Sequence, residues 1–170
     1  DNNTTGLCDT YEDYTSQYAD LTQGQSYSVT VSLGDCNGYN FPSGGYVYID
    51  WNIDGDFTDP GEEIGSIPFG DTVANTSVTI PFTVPSSLTF GPTRMRVMTQ
   101  FSSISNISTM TSCDQGVYSP STSSYSEPWY GATEDYSVSI YPDTTNQTFL
   151  WSTGQTTDSI NNLYAGLYTL

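Results

Sequence analysis

The residues best equipped for chemistry lie in one short stretch, Asp50-Trp51-Asn52-Ile53-Asp54-Gly55-Asp56-Phe57. Oxygen-bearing side chains recur at Asp50, Asn52, Asp54 and Asp56, and Gly55 follows the third of them. Ca²⁺ takes about six to eight hard oxygens at roughly 2.3–2.6 Å, and alternate residues on a tightly curled loop can converge on one ion while a glycine permits the sharp turn. Phe57 is placed to plug the loop back onto the core. An EF-hand would close with Glu at its twelfth position; here that position is Gly61, and Glu62 and Glu63 follow. No helical pattern flanks the loop. The reading is a calcium loop embedded between strands, with Asp50, Asn52, Asp54, Asp56, Glu62 and Glu63 as candidate ligands. The bland alternative is an acidic turn whose Asp side chains cap backbone N–H groups.

A second signal is an internal echo. Glu12-Asp13-Tyr14-Thr15 resembles Glu134-Asp135-Tyr136-Ser137, each at or near the start of an expected strand. Either carboxylate pair could add metal ligands or pair with arginine. Arg94 and Arg96 are the only two cationic side chains, set against 19 acids, and they sit two apart on one strand face. Structural carboxylate forks with Glu134, Asp135 or the loop acids are expected of them, ahead of substrate binding. Glycosidase chemistry needs two carboxyls about 5–9.5 Å apart across a cleft. Many acids are present, but nothing singles out such a pair, so a carboxylate hydrolase remains a remote alternative and a non-catalytic protein is expected.

Composition narrows the classes further. Net charge is −17, with no Lys and no His among 170 residues. Such a surface repels phosphate and anionic lipid, which argues against nucleic-acid and membrane partners. Schiff bases, His-based triads and His-ligated metals are excluded. No apolar run approaches the roughly 20 residues that span a bilayer. The chain starts polar, like a mature or excised segment. Charged residues are only 12% and aromatics 14%, so the chain is not simply disordered; acidic and rich in Tyr, Thr, Ser and Val, it reads as a secreted β-protein.

The elements that must position these residues alternate with period two. Residues 26–33 place Tyr27, Val29, Val31 and Leu33 on one face. Residues 45–51 set Val47, Ile49 and Trp51 opposite Tyr46, Tyr48 and Asp50. Residues 76–84 align Val78, Ile80, Phe82 and Val84, with Pro81 marking an edge or a bulge. Residues 93–101 put Met95 and Val97 opposite Arg94 and Arg96, and residues 135–141 align Tyr136, Val138 and Ile140. Several short strands without helices predict an all-β fold, an antiparallel β-sandwich of immunoglobulin or jelly-roll type, over residues 1–142. Residues 102–131 form a long Ser/Thr-rich excursion, with room for a short hairpin. Residues 143–170 read as a linker and the start of a second β-module that stops mid-strand at Leu170, as a fragment of something longer would.

Four blocks carry a resemblance: 46–62, 82–85, 91–97 and 131–136. In order and spacing they resemble the GEVED domain over roughly residues 7–141. That family is named for its closing motif, which reads Gly131-Ala132-Thr133-Glu134-Asp135 here, with Ala132 where the family usually has Glu. The tail, from about 147 to 170, is similar to the first half of an SprB-type adhesin repeat, an immunoglobulin-like β-module. The resemblance implies a β-sandwich accessory or adhesive module of a large secreted or cell-surface protein, many of which come from the Bacteroidetes lineage. It implies neighbouring domains or further copies of the protein as partners, and an extracellular location.

Two functional readings stand. One is a structural or adhesive module of a surface adhesin or filament, stiffened by calcium. The other is a calcium-dependent carbohydrate-binding module that meets surface glycans through Tyr118, Tyr125, Trp129 and Tyr130. An oxidising compartment favours disulfides, and with Cys8, Cys36 and Cys113 at most one internal bridge can form. Cys8–Cys36 is favoured, with Cys8–Cys113 the alternative. Thr72, Thr144 and Ser159 fit a short Asp-Ser/Thr pattern associated with O-glycosylation in that lineage.

Overall fold

The computed structural model describes residues 11–34, 41–68, 76–101, 110–114, 118–119, 124–125, 131–145, 149–159, 167 and 169. Nine strands account for its regular structure: β1 (Tyr11–Thr22), β2 (Ser26–Ser32), β3 (Ser43–Ile49), β4 (Glu63–Ile67), β5 (Ser77–Thr83), β6 (Gly91–Phe101), β7 (Tyr118–Ser119), β8 (Ser124–Tyr125) and β9 (Ala132–Tyr141). No helix occurs among the described residues. A five-stranded sheet in the order β1-β9-β6-β3-β4 faces a two-stranded sheet, β2-β5, and β7 and β8 form a small hairpin within the long excursion.

The period-two faces pack as their chemistry dictates. Val47, Ile49, Val97, Val138 and Ile140 from the large sheet meet Leu33, Ile80 and Val84 of the small one, with Tyr27, Val29, Val31, Val78 and Phe82 partly buried beside them. This dry layer is the sandwich core. The outer face of the small sheet is a ladder of hydroxyls: Ser26–Thr83 at 2.9 Å, Thr30–Thr79 at 2.9 Å and Ser32–Ser77 at 2.8 Å. Pro81 lies outward on β5, which among the described residues hydrogen-bonds to β2 alone, so its missing N–H disturbs no ladder.

The fold is the expected all-β sandwich, with two differences of detail. β1 runs parallel to β9, while the other pairings are antiparallel. β4 is a strand that periodicity did not reveal: it has five residues, and Gly65 at its centre leaves room for the Ile80 side chain from the facing sheet. Two glycines allow close backbone approach. A Cβ on Gly45 would overlap the carbonyl oxygen of Met98, and one on Gly131 that of Thr99.

The opposite face of the large sheet is covered too. Tyr48, Met98, Phe57 and Met110 form a second apolar cluster with Tyr46 at its margin. Phe57 comes from the loop between β3 and β4, and Met110 from the excursion after β6. These two contacts anchor otherwise irregular segments to the sheet.

Candidate functional site

Loop 50–62 joins β3 to β4, and its acids do two different jobs. Asp50 is buried and turns inward. Its Oδ1 accepts the N–H of Ile53 (2.7 Å) and of Asp54 (3.3 Å), and its Oδ2 accepts that of Gly55 (3.1 Å). This cap holds Ile53 at φ 62° and Gly55 at φ 93°, both left-handed. Glu62, only 1% exposed, closes the loop from the other end: Oε1 accepts the Trp51 N–H and Oε2 the Asp59 N–H, each at 3.1 Å. Burial pushes the Glu62 carboxyl up, against the pull of those two backbone bonds. The Trp51 indole donates to the Gly61 carbonyl at 3.1 Å, and Thr93 donates to the Asp50 carbonyl at 2.7 Å.

The remaining acids face outward in a staircase of side-chain turns. Asn52 Oδ1 accepts the Asp54 N–H, Asp54 Oδ1 accepts the Asp56 N–H, and Asp56 Oδ1 accepts both the N–H and the hydroxyl of Thr58. The two Thr58 bonds hold the Asp56 carboxyl below its usual range. The free ends of this staircase converge: carboxylate oxygens of Asp54, Asp56 and Asp59 all lie within 4.8 Å of one another. The Asn52 amide donates to Asp54 at 2.9 Å and to Asp59 at 2.5 Å. Of the six ligand candidates read from sequence, the structure brings Asp54 and Asp56 together, with Asn52 against them. It turns Asp50 and Glu62 inward onto backbone amides and leaves Glu63 exposed at the start of β4. Asp59 was missed. Its signal was its place three residues after Asp56, on the same curled loop.

The echoed motifs meet across the sheet. Glu12 lies opposite Glu134, Asp13 opposite Asp135 and Tyr14 opposite Tyr136, in parallel register. Asp135 is fully buried and collects both cations. Arg96 grips it with a two-pronged fork, Nε to Oδ1 at 2.7 Å and Nη2 to Oδ2 at 2.8 Å, while Arg94 Nη1 reaches Oδ2 at 3.3 Å. The Tyr11 hydroxyl donates to Oδ2 as well, at 3.1 Å. Arg96 also donates to the Ser112 carbonyl at 2.7 Å and lies 5.0 Å from the centre of the Phe57 ring. The fork to Asp135 raises the Arg96 guanidinium. The structural fork expected of the arginines is therefore present, and it ties β6, β9, the acidic loop and the excursion to one carboxylate.

Residues 44–139, from β3 to β9, match the GEVED domain family. The chain belongs to that family. No curated protein and no solved structure matches it. The acidic loop, Arg96 and Asp135 all lie inside the GEVED match. Residues 143–170 lie outside it, so the resemblance of the tail to an SprB-type repeat gains no support.

The other predicted sites are placed less fully. Cys8, Cys36, Thr72, Trp129 and Tyr130 lie outside the described residues, and Cys113 is a free, exposed thiol. Tyr118 and Tyr125 oppose each other across the β7–β8 hairpin. Thr144 and Ser159 are exposed; Thr144 follows Asp143, whose Oδ1 accepts the Thr145 N–H, and Ser159 donates to Asp158. In the tail, Trp151 N–H donates to the Gln155 carbonyl and its indole to that of Thr157.

Proposed function

We propose that this GEVED domain is a non-catalytic structural or adhesive module of a larger extracellular, cell-surface protein, stiffened by a calcium ion on loop 50–62. The observation that carries the reading is the convergence of Asp54, Asp56 and Asp59. Both cationic side chains bind Asp135, and among the described residues neither forms an ion pair with the triad. Hard carboxylate and carbonyl oxygens suit calcium, which tolerates irregular geometry and completes its shell with water. Asp54, Asp56 and Asp59 would hold the ion, with Asn52 beside them.

The fold gives such an ion something to stiffen. The loop is pinned at one end by Glu62 and in the middle by Phe57, and a cation across its outward acids would lock the rest. With no His or Lys, the chain lacks imidazole acid–base groups and Schiff-base amines. Its charge of −17 keeps neighbouring modules soluble and mutually repelling. Neighbouring domains or copies of the same protein are the partners this reading implies, and the tail at 143–170 is taken as the junction to the next module.

The test is calorimetric titration of chelator-stripped protein with CaCl₂, beside thermal unfolding with calcium and with EDTA. Calcium at about 100 times its Kd stabilises the folded state by about 2.7 kcal/mol. The Asp56→Asn/Asp59→Asn variant should lose both the heat and the stabilisation. No heat and no shift in the parent protein would leave the loop as a capped acidic turn.

A further inference from the structure

The apolar cluster around Phe57 and Met110 covers only part of the outer face of the large sheet. Where β6, β9 and β1 lie side by side, their register sets the side chains of that face in rows. Arg96, Asp135 and Asp13 make one row, Arg94, Ser137 and Tyr18 the next, and Pro92, Ser139 and Asp20 the one after. Asp135 is buried, but beyond its row the cover ends. Arg94, Pro92, Tyr18 and Asp20 are exposed, and Tyr141 extends the bare face by one more row. Tyr18 is 64% exposed and Tyr141 50%. At about 3.3 Å per residue, the rows that carry these two tyrosines lie about 13 Å apart along the strands.

Arg94 stands between them, and the fold has little need of it. Arg96 already meets the Asp135 charge with a two-pronged fork, and Arg94 adds one Nη1 contact at 3.3 Å. Its other donors make no hydrogen bond among the described residues. Its side chain is 50% exposed against 19% for Arg96, so it is the one cation that a chain of charge −17 presents to solvent to this extent. A guanidinium offers a planar fork that fits a carboxylate. An exposed tyrosine offers a flat ring for C–H surfaces and a hydroxyl at its tip.

The surrounding charge narrows what can bind. Asp13 and Asp20 are exposed on either side of the Arg94 row, and the whole molecule is strongly negative. A ligand dense in negative charge, such as an acidic peptide, is repelled by that field. A ligand that brings an isolated carboxylate among neutral hydroxyls and C–H faces satisfies Arg94, the aspartates and the tyrosines together. Acidic sugars have that chemistry. We propose that this face binds a uronate-containing glycan, with the sugar carboxylate on Arg94 and the sugar rings laid against Tyr18 and Tyr141. The site stands apart from the calcium loop: Asp54 and Asp56 line the neighbouring groove with Arg94, but no member of the triad lies on this face.

The experiment is calorimetric titration of the full chain, in EDTA, with trimers of galacturonate, glucuronate and mannuronate, beside a galactose trimer and a glutamate hexapeptide. At least one uronate trimer should bind, and more tightly than the galactose trimer or the peptide. Arg94→Ala should weaken that binding about tenfold or more, and Tyr18→Ala should weaken it while Tyr18→Phe, which keeps the ring, does not. Both positions are exposed, so circular dichroism should show parental folding. No binding of any uronate trimer would overturn the proposal, as would an Arg94→Ala variant that binds like the parent. Peptide binding as tight as the sugar's would also overturn it, since charge alone would then be the attraction. Because EDTA is present throughout, failure here leaves the calcium reading untouched, and loss of the calcium reading leaves this face as it stands.

Discussion

Replacing Asp135 by Asn tests the central fork most directly. The carboxylate is fully buried, and its two oxygens receive three arginine contacts and one tyrosine hydroxyl. Asparagine has nearly the same shape but no charge, and its amide nitrogen would face donors at one of those positions. Arg96, with its side chain 19% exposed, would then be a mostly buried cation without a counter-charge. Removing one partner of a buried pair costs about 3–5 kcal/mol, a large fraction of the roughly 5–15 kcal/mol that holds a domain together. For a chain of this size that corresponds to a fall in melting temperature of roughly 6–20 °C. Arg94→Ala is the internal control. Its side chain is 50% exposed and its single contact is 3.3 Å long, so its loss should cost under about 1 kcal/mol. Urea unfolding of the parent and both variants, with unchanged m-values, reads the difference. If Asp135→Asn costs less than Arg94→Ala, or if the two are equal, the fork is not what joins β6 to β9.

Two further expectations follow from packing and exposure. Gly45→Ala should cost more than about 3 kcal/mol, because its Cβ would overlap backbone rather than a side chain that can turn aside; circular dichroism against temperature would show it, and a near-parental melt would contradict the close strand approach. Cys113 should react with a maleimide in the folded protein about as fast as in urea, since the thiol is exposed beside the groove lined by Asp54, Arg94 and Ser137, and strong protection in the folded state would contradict that placement.

Much of this architecture was legible beforehand, because alternation with period two states which side chains share a face. Val47 and Ile49 separated from Tyr46 and Tyr48 as expected, and so did Met95 and Val97 from Arg94 and Arg96. β1 and β4 were less legible. β1 bulges between Tyr14 and Tyr18, which breaks its alternation, and β4 is short with a glycine at its centre. The acidic loop was visible as a pattern of oxygens, but not the direction of each one.

By itself the sequence determined the alternating faces, the acidic loop, the echo of Glu-Asp-Tyr, and a charge balance that leaves two arginines among 19 acids. Only the tertiary structure decided which neighbour each face would meet. Periodicity is a local property of the pleat, whereas strand order and direction are settled by long-range packing. The parallel docking of β1 on β9 brought the two copies of the sequence echo into register, Glu12 opposite Glu134 and Tyr14 opposite Tyr136. Asp50 turned inward to cap the left-handed turn at Ile53, and Asp59 joined Asp54 and Asp56 on the outside. An oxygen's role depends on where the backbone points it, and in an irregular loop each φ and ψ is chosen by the contacts that pin the loop at its ends.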